Sequence, residues 1–191
     1  MECPIHVVTD LHIDNWDKTL PNPYPCGKRS YHPMIWEQSG DQSILVIAGD
    51  VSDDIDITIS YLNKLTSFYD QILFVEGNHE SCVIYPKILD RHIIGAKVES
   101  VNSNSIHFLS GKPFILNGVA FVGKCGWWDY QGCDKVKDQA YFDDWMPHLS
   151  SSQVELFHQN VDQQSRDDYL GLVKDIEDMQ AATDVERIIV V

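Results

Sequence analysis

The chain has 191 residues, 29 acidic against 14 basic, and a formal net charge of −15. That acid excess argues against a stable nucleic-acid-binding face, and no run approaches the apolar length of a membrane span. The length suits one domain over residues 1–191 with a sizeable core, unbroken by repeats, low-complexity tracts or linkers.

The first element in chain order is the apolar run Ile5-His6-Val7-Val8-Thr9, which ends in Asp10-Leu11-His12. Short apolar runs closed by Gly or Asp predict buried parallel strands. No basic stretch followed by a long apolar one precedes it, so a secretory signal is not expected. Residues 13–43 then read as a long insertion made irregular by Pro21, Pro23, Pro25 and Pro33. A long loop beside an active edge often shapes substrate access. Lys28, Arg29, Tyr31 and His32 are its candidate phosphate or leaving-group contacts, against the plainer reading of a solvated surface loop.

Ile44-Leu45-Val46-Ile47-Ala48 is the second strand and leads into Gly49-Asp50. Asp53-Asp54-Ile55-Asp56 predicts a helix N-terminus, where acids complement the dipole. Ile55, Ile59, Leu62 and Leu65 recur at helical spacing, so a crossover helix is expected over residues 54–68. Ile72-Leu73-Phe74-Val75-Glu76 is the third strand and leads into Gly77-Asn78-His79-Glu80. Ser105–Leu109 is strand-like, and His107 within it, like His6 in the first strand, reads as a packed or hydrogen-bonded structural histidine. Phe114-Ile115-Leu116 and Val119-Ala120-Phe121-Val122 flank Asn117-Gly118, a strong hairpin signal that opens a second sheet. Trp127 and Trp128 follow and either line a substrate pocket or pack under the insertion. Serines 150–152 are positioned to cap a helix from about residue 153. Leu172, Ile176 and Met179 mark the packed face of a further helix near 166–180. Asp143-Asp144 and Asp167-Asp168 read as solvated faces rather than ligands. The last apolar run is Arg187-Ile188-Ile189-Val190-Val191.

In an open α/β sheet, ligands bind beyond the carboxyl ends of the strands. The three strand-end motifs therefore point Asp10, His12, Asp50, Asn78 and His79 at one edge, a metal site of oxygen and imidazole ligands. Asp-x-His alone is weak: with 21 Asp and 8 His, about one accidental copy is expected, and Asp90-Arg91-His92 is such a copy. Gly-Asn-His is rarer, with about 0.02 copies expected from composition. The conjunction carries the argument, because all three motifs follow strands. The alternative makes Asp50 and Asn78 turn residues and His12 and His79 capping histidines, and it needs three coincidences.

With these residues in place, the chain resembles the calcineurin-like metallophosphoesterase superfamily. Its signature is Asp-x-His, then Gly-Asp, then Gly-Asn-His-Asp/Glu. Here it stands as Asp10-Leu11-His12, Gly49-Asp50 and Gly77-Asn78-His79-Glu80. The resemblance implies an α/β fold, a two-sheet sandwich flanked by helices in αββα order. It implies that Asp50 bridges two divalent ions, that Asp10 and His12 bind the first, and that Asn78 binds the second. His79 would contact the phosphate and protonate the leaving group. The activity implied is hydrolysis of a phosphomonoester or phosphodiester on a small phosphorylated substrate. Two ions about 3.5–4 Å apart supply the nucleophile and relieve phosphoryl charge, and a bridging carboxylate sets that spacing. The mixed donor set suits Mn, Fe or Zn better than Ca. Trp127 joins Lys28, Arg29 and His32 as a candidate substrate contact.

The family pattern continues with further histidines, one after a later strand and then a Gly-His-x-His pair. No Gly-His-x-His occurs in this sequence. The first of those histidines is expected immediately beyond Val191, which implies the fold with its C-terminal part missing. The second ion would then keep only Asp50 and Asn78. His148 and His158 are possible substitutes but read more simply as exposed residues. Two further readings stay open: a catalytically deficient fragment, and a protein-interaction module that keeps the fold. The five cysteines, Cys3, Cys26, Cys82, Cys125 and Cys133, include no Cys-x-x-Cys. A scattered, odd-numbered set in a chain this long predicts reduced thiols in a cytoplasmic protein.

Overall fold

A computed structural model of the chain describes residues 4–13, 43–81, 91–101, 104–126 and 150–191. Strands β1 (Ile5–Val8), β2 (Ile44–Ala48), β3 (Gln71–Val75) and β4 (Ile106–Phe108) form one sheet in that order. All three of its pairings are parallel, so the carboxyl ends of β1, β2 and β3 lie side by side. A second sheet joins β5 (Phe114–Leu116), β6 (Val119–Val122) and β7 (Arg187–Val190), with the β5–β6 hairpin antiparallel and β6–β7 parallel. The hairpin turns on Asn117 and Gly118 at φ 50° and 77°. Both central residues are left-handed, which Asn-Gly tolerates and most pairs do not.

The strand period of two builds two core layers from one sheet. On β2, Leu45 and Ile47 face helices α1 (Ile55–Leu65) and α3 (Arg91–Glu99), together with Ile72 and Phe74 of β3. Ile44, Val46, Leu73 and Val75 face the opposite way and pack with Leu109 and Phe121 between the sheets. Near-continuous apolar runs are what such a doubly covered sheet requires. Helix α4 (Ser151–Ala181) packs on β6 and β7. The layers therefore run helices, sheet, sheet, helix, as the resemblance implies.

Helix α1 forms where expected. Asp54 is its N-cap and accepts the Asp56 amide at 2.8 Å, and Ile55, Ile59, Leu62 and Leu65 are buried. The Asn78–Ser81 turn is a short helix, α2.

Two expectations at the C-terminal side are corrected. Helices from about 153 and near 166–180 are one continuous helix, α4, opened by Ser150, whose amide donates to Gln153 Oε1 at 2.9 Å. Between its ends the only strong breaker is Gly171, and an interior glycine costs about 1 kcal/mol, too little to end a packed helix. Leu172, Ile176 and Met179 are half-buried, and the deepest apolar positions are Val154, Phe157 and Val161. Asp168 does not lie on a solvated face: it is 2% exposed, because Arg91 of α3 reaches it from below. Asp167 is exposed as expected.

Candidate metal centre

The three strand exits are stitched to one another. Asp10 N donates to Gly49 O at 3.2 Å, His12 N to Asp50 O at 3.0 Å, and Ile13 N to Val51 O at 2.8 Å. Asp10, His12 and Asp50 all hold positive φ, at 52°, 41° and 55°. Non-glycine residues rarely adopt that region, and such strain concentrates at functional sites. Gly49 and Gly77 let the β2 and β3 exits cross: a Cβ on Gly77 would stand 2.0 Å from Asp50 Oδ1, and one on Gly49 would stand 2.8 Å from Gly77 Cα.

Glu80 fastens the crossing. Its buried carboxylate accepts from Asp50 N at 3.0 Å, Val51 N at 2.7 Å, Ser52 N at 3.0 Å, Gly77 N at 2.8 Å and Thr58 Oγ1 at 3.2 Å. A buried carboxylate is costly unless its lone pairs are filled, and here backbone amides of both loops fill them. Four backbone amides thus connect the Asp50 and Asn78 loops through one side chain. The signature carries this glutamate, but its motif position does not disclose which amides it holds.

On this frame, His12, Asp50 and His79 bring ligand atoms within 4.8 Å of one another, each side chain half-buried. The His12 and His79 rings meet edge-on with centroids 4.5 Å apart. The His79 amide donates to Asp50 Oδ1 at 3.0 Å, which orients that carboxylate. Nδ1 of His12 is buried, with no hydrogen-bond partner among the described residues. Asp10 stands outside the three-residue cluster; its Oδ2 accepts the Thr9 hydroxyl at 2.6 Å. Asn78 lines a cleft of about 210 Å³ with Asp50, Gly77, Lys124 and Cys125.

His79 Nδ1 lies 2.5 Å from Asp53 Oδ1. Burial would lower the His79 pKa, but the Asp53 hydrogen bond and the charges of Asp50, Asp53 and Glu80 outweigh it and raise it. In the sequence, Asp53 reads with the acids of the α1 N-terminus. Asp54 and Asp56 do occupy that terminus, whereas Asp53 turns to the histidine. The available signal was its position three residues after Asp50 on the same loop.

The family model for calcineurin-like phosphoesterases matches residues 3–184. The chain belongs to the calcineurin-like phosphoesterase family. No curated protein and no solved structure matches it. Family membership carries metal-dependent phosphoester hydrolysis at a general level. The donors of this phosphoesterase fit a divalent ion: the His12 imidazole and the Asp50 carboxylate converge beside His79, and Nδ1 of His12, buried with no partner among the described residues, is the group a metal would satisfy. The expected substrate contacts Lys28, Arg29, His32 and Trp127 lie outside the described residues, as do Trp128, His148 and nearly all of the 13–43 insertion. His158 sits on α4 and takes no part in the cluster. His6 and His107 are structural, the first on Tyr69 OH at 3.1 Å and the second on Gln71 Oε1 at 2.6 Å. No helix among the described residues is long and apolar enough to cross a membrane.

Proposed function

We propose that this chain is a binuclear phosphoesterase that hydrolyses a small phosphomonoester or phosphodiester, with Asp50 between two divalent ions of Mn, Fe or Zn. Asp10 and His12 would hold one ion with Asp50, and Asn78 would hold the other. The observation that carries the reading is the convergence of His12, Asp50 and His79 within 4.8 Å at the ends of three different strands. When bound, such ions supply Lewis acidity that withdraws charge from the phosphoryl oxygens and lowers the pKa of water.

The protein's own groups do the rest. The His79 amide and the Glu80-fastened loop keep Asp50 aimed into the site. Asn78 offers a neutral amide oxygen, which limits the negative charge facing an anionic substrate. Asp53 holds Nδ1 of His79, so the opposite ring nitrogen carries the proton that the leaving oxygen receives. The raised pKa of His79 keeps a larger share of the ring protonated near neutral pH. The five scattered cysteines support a reducing, cytoplasmic setting.

The test uses Mn-loaded protein with p-nitrophenyl phosphate and bis(p-nitrophenyl) phosphate, which separates monoesterase from diesterase. His79→Ala is expected to keep bound Mn and lose about 10²–10⁴-fold in kcat, the usual worth of a general acid. Asp53→Asn is expected to lose a smaller part of the rate. Full turnover in His79→Ala, or loss of metal along with turnover, would refute the role given to His79.

A further inference from the structure

Helix α4 carries a stripe that amphipathic reasoning does not explain. Gln164, Asp168, Gly171 and Asp175 recur at helical spacing on one face, and that face meets the carboxyl edges of both sheets. Arg91 joins Glu76, at 2.6 Å from its Nε to Oε1, to Asp168 through its other guanidinium arm. The second oxygen of Asp168 accepts the Gly126 amide at 3.2 Å, and Gln164 Nε2 donates to Oδ1 at 3.0 Å. Lys124 donates to Asp175 Oδ2 at 2.7 Å and to Ser110 O at 2.9 Å. Gly171 makes room for it, since a Cβ there would lie 3.0 Å from Lys124 Cε. Ser110 in turn donates to Glu76.

This network surrounds the cleft that holds Asn78 and Asp50. One wall is the turn Glu76-Gly77-Asn78 after β3, and the other is the exit Lys124-Cys125-Gly126 after β6. Arg91 and the Gly126 amide bring the two walls to the same carboxylate. Glu76, Asp168 and Asp175 face Arg91 and Lys124, so each charge of this network has an opposite neighbour. A pair of this kind adds little net stability compared with apolar packing, but removing one partner strands the other. Its value lies in the fixed geometry it imposes.

We propose that Asp168 is a positioning residue for the metal centre, setting the separation of the two cleft walls and hence the placement of Asn78 against Asp50. The inference rests on the reading of Asn78 and Asp50 as ligands. Groups behind metal ligands typically change metal affinity by about 10–100-fold when removed.

The test is a calorimetric Mn²⁺ titration of the full chain, with amide hydrogen exchange followed on the same proteins. Asp168→Ala is expected to weaken Mn²⁺ binding at least about tenfold and to speed exchange at Gly77, Asn78, His79 and Gly126. Phe157→Leu destabilises the same helix away from the stripe and is expected to leave both readouts at wild-type values. Asp168→Asn keeps the side-chain shape and an oxygen for Gly126 but loses the charge facing Arg91. Its expected result lies between, and it carries the test if Asp168→Ala does not fold. Wild-type affinity and exchange in both Asp168 variants would overturn the proposal, as would an equal loss in Phe157→Leu. A wild-type chain that takes up no Mn²⁺, or an Asp50→Asn variant that binds it undiminished, would instead overturn the metal reading. The exchange pattern at Gly77–His79 and Gly126 would then decide alone whether Asp168 holds the walls.

Discussion

His107 stacks on Phe114 with ring centroids 3.9 Å apart and shares its Nε2 with Gln71 Oε1. Burial, helped by the charge of Lys112, lowers its pKa below the ordinary value. Folding favours the neutral ring. As pH falls through the unfolded value of about 6.5, the unfolded chain takes up the proton first. The contribution of His107 is therefore complete above that pH and is lost progressively below it. His107→Gln cannot titrate and retains a polar partner for Gln71. Urea midpoints measured from pH 7 to pH 5 should fall less in His107→Gln than in wild type. Parallel falls would contradict the assignment, because the remaining titrating groups are common to both proteins. Asp53 shows where reading at this scale stops. An aspartate before a helix already has a local explanation in capping, so its partnership with His79 is visible only once β3 lies beside β2.

Glycines space the elements at two places, one at the site and one where α3 meets β4. At Gly77 a methyl would meet Asp50 Oδ1 at 2.0 Å and Asp50 N at 2.4 Å, both in a loop that Glu80 ties down. At Gly95, within α3, it would meet Phe108 Cδ1 at 3.2 Å, a side chain that can shift. Gly77→Ala is expected to cost about 1–3 kcal/mol, as overpacking does, and to weaken metal binding. In Gly95→Ala the gain in helix propensity offsets part of any strain. Thermal unfolding of the two variants checks this, and equal melting temperatures would show that the loops part easily. Strands β2 and β3 and helix α1 were legible because their apolar periods are clean and their ends carry Gly, Asp and Asn. Helix α4 was expected as two helices, one from about 153 and one near 166–180, because the polar stretch Gln163-Gln164-Ser165-Arg166-Asp167-Asp168 carries no apolar period to join them. That stretch stays helical because Asp168 is spent on Arg91 and Gly126, partners 77 and 42 residues away, and Gln164 on Asp168 itself.

At the scale of the molecule, one parallel sheet with two covered faces positions the site and a second sheet closes it. The second face of β2 and β3, Ile44, Val46, Leu73 and Val75, packs on Phe121 and Leu109, and this brings the β6 exit opposite Asp50 and Asn78. That the exits of β1, β2 and β3 share one edge followed from reading the three runs as parallel strands, and among the five expected site residues His12, Asp50 and His79 bring ligand atoms within 4.8 Å of one another. The αββα arrangement followed from the family signature and not from any period in the chain. Nothing local marks Lys124 and Gly126 as lining of the second wall of the cleft; only the family resemblance, in which the stretch after the hairpin strand borders the active site, points there. On the proposed function, the three strand-end motifs make a single metal centre held together by Asp50. Calorimetric titration of Mn²⁺ into the wild-type chain and into Asp50→Asn tests it most directly. Saturable binding to wild type that is lost in Asp50→Asn, with the fold retained by circular dichroism, is the expected result; equal binding by both proteins would contradict it.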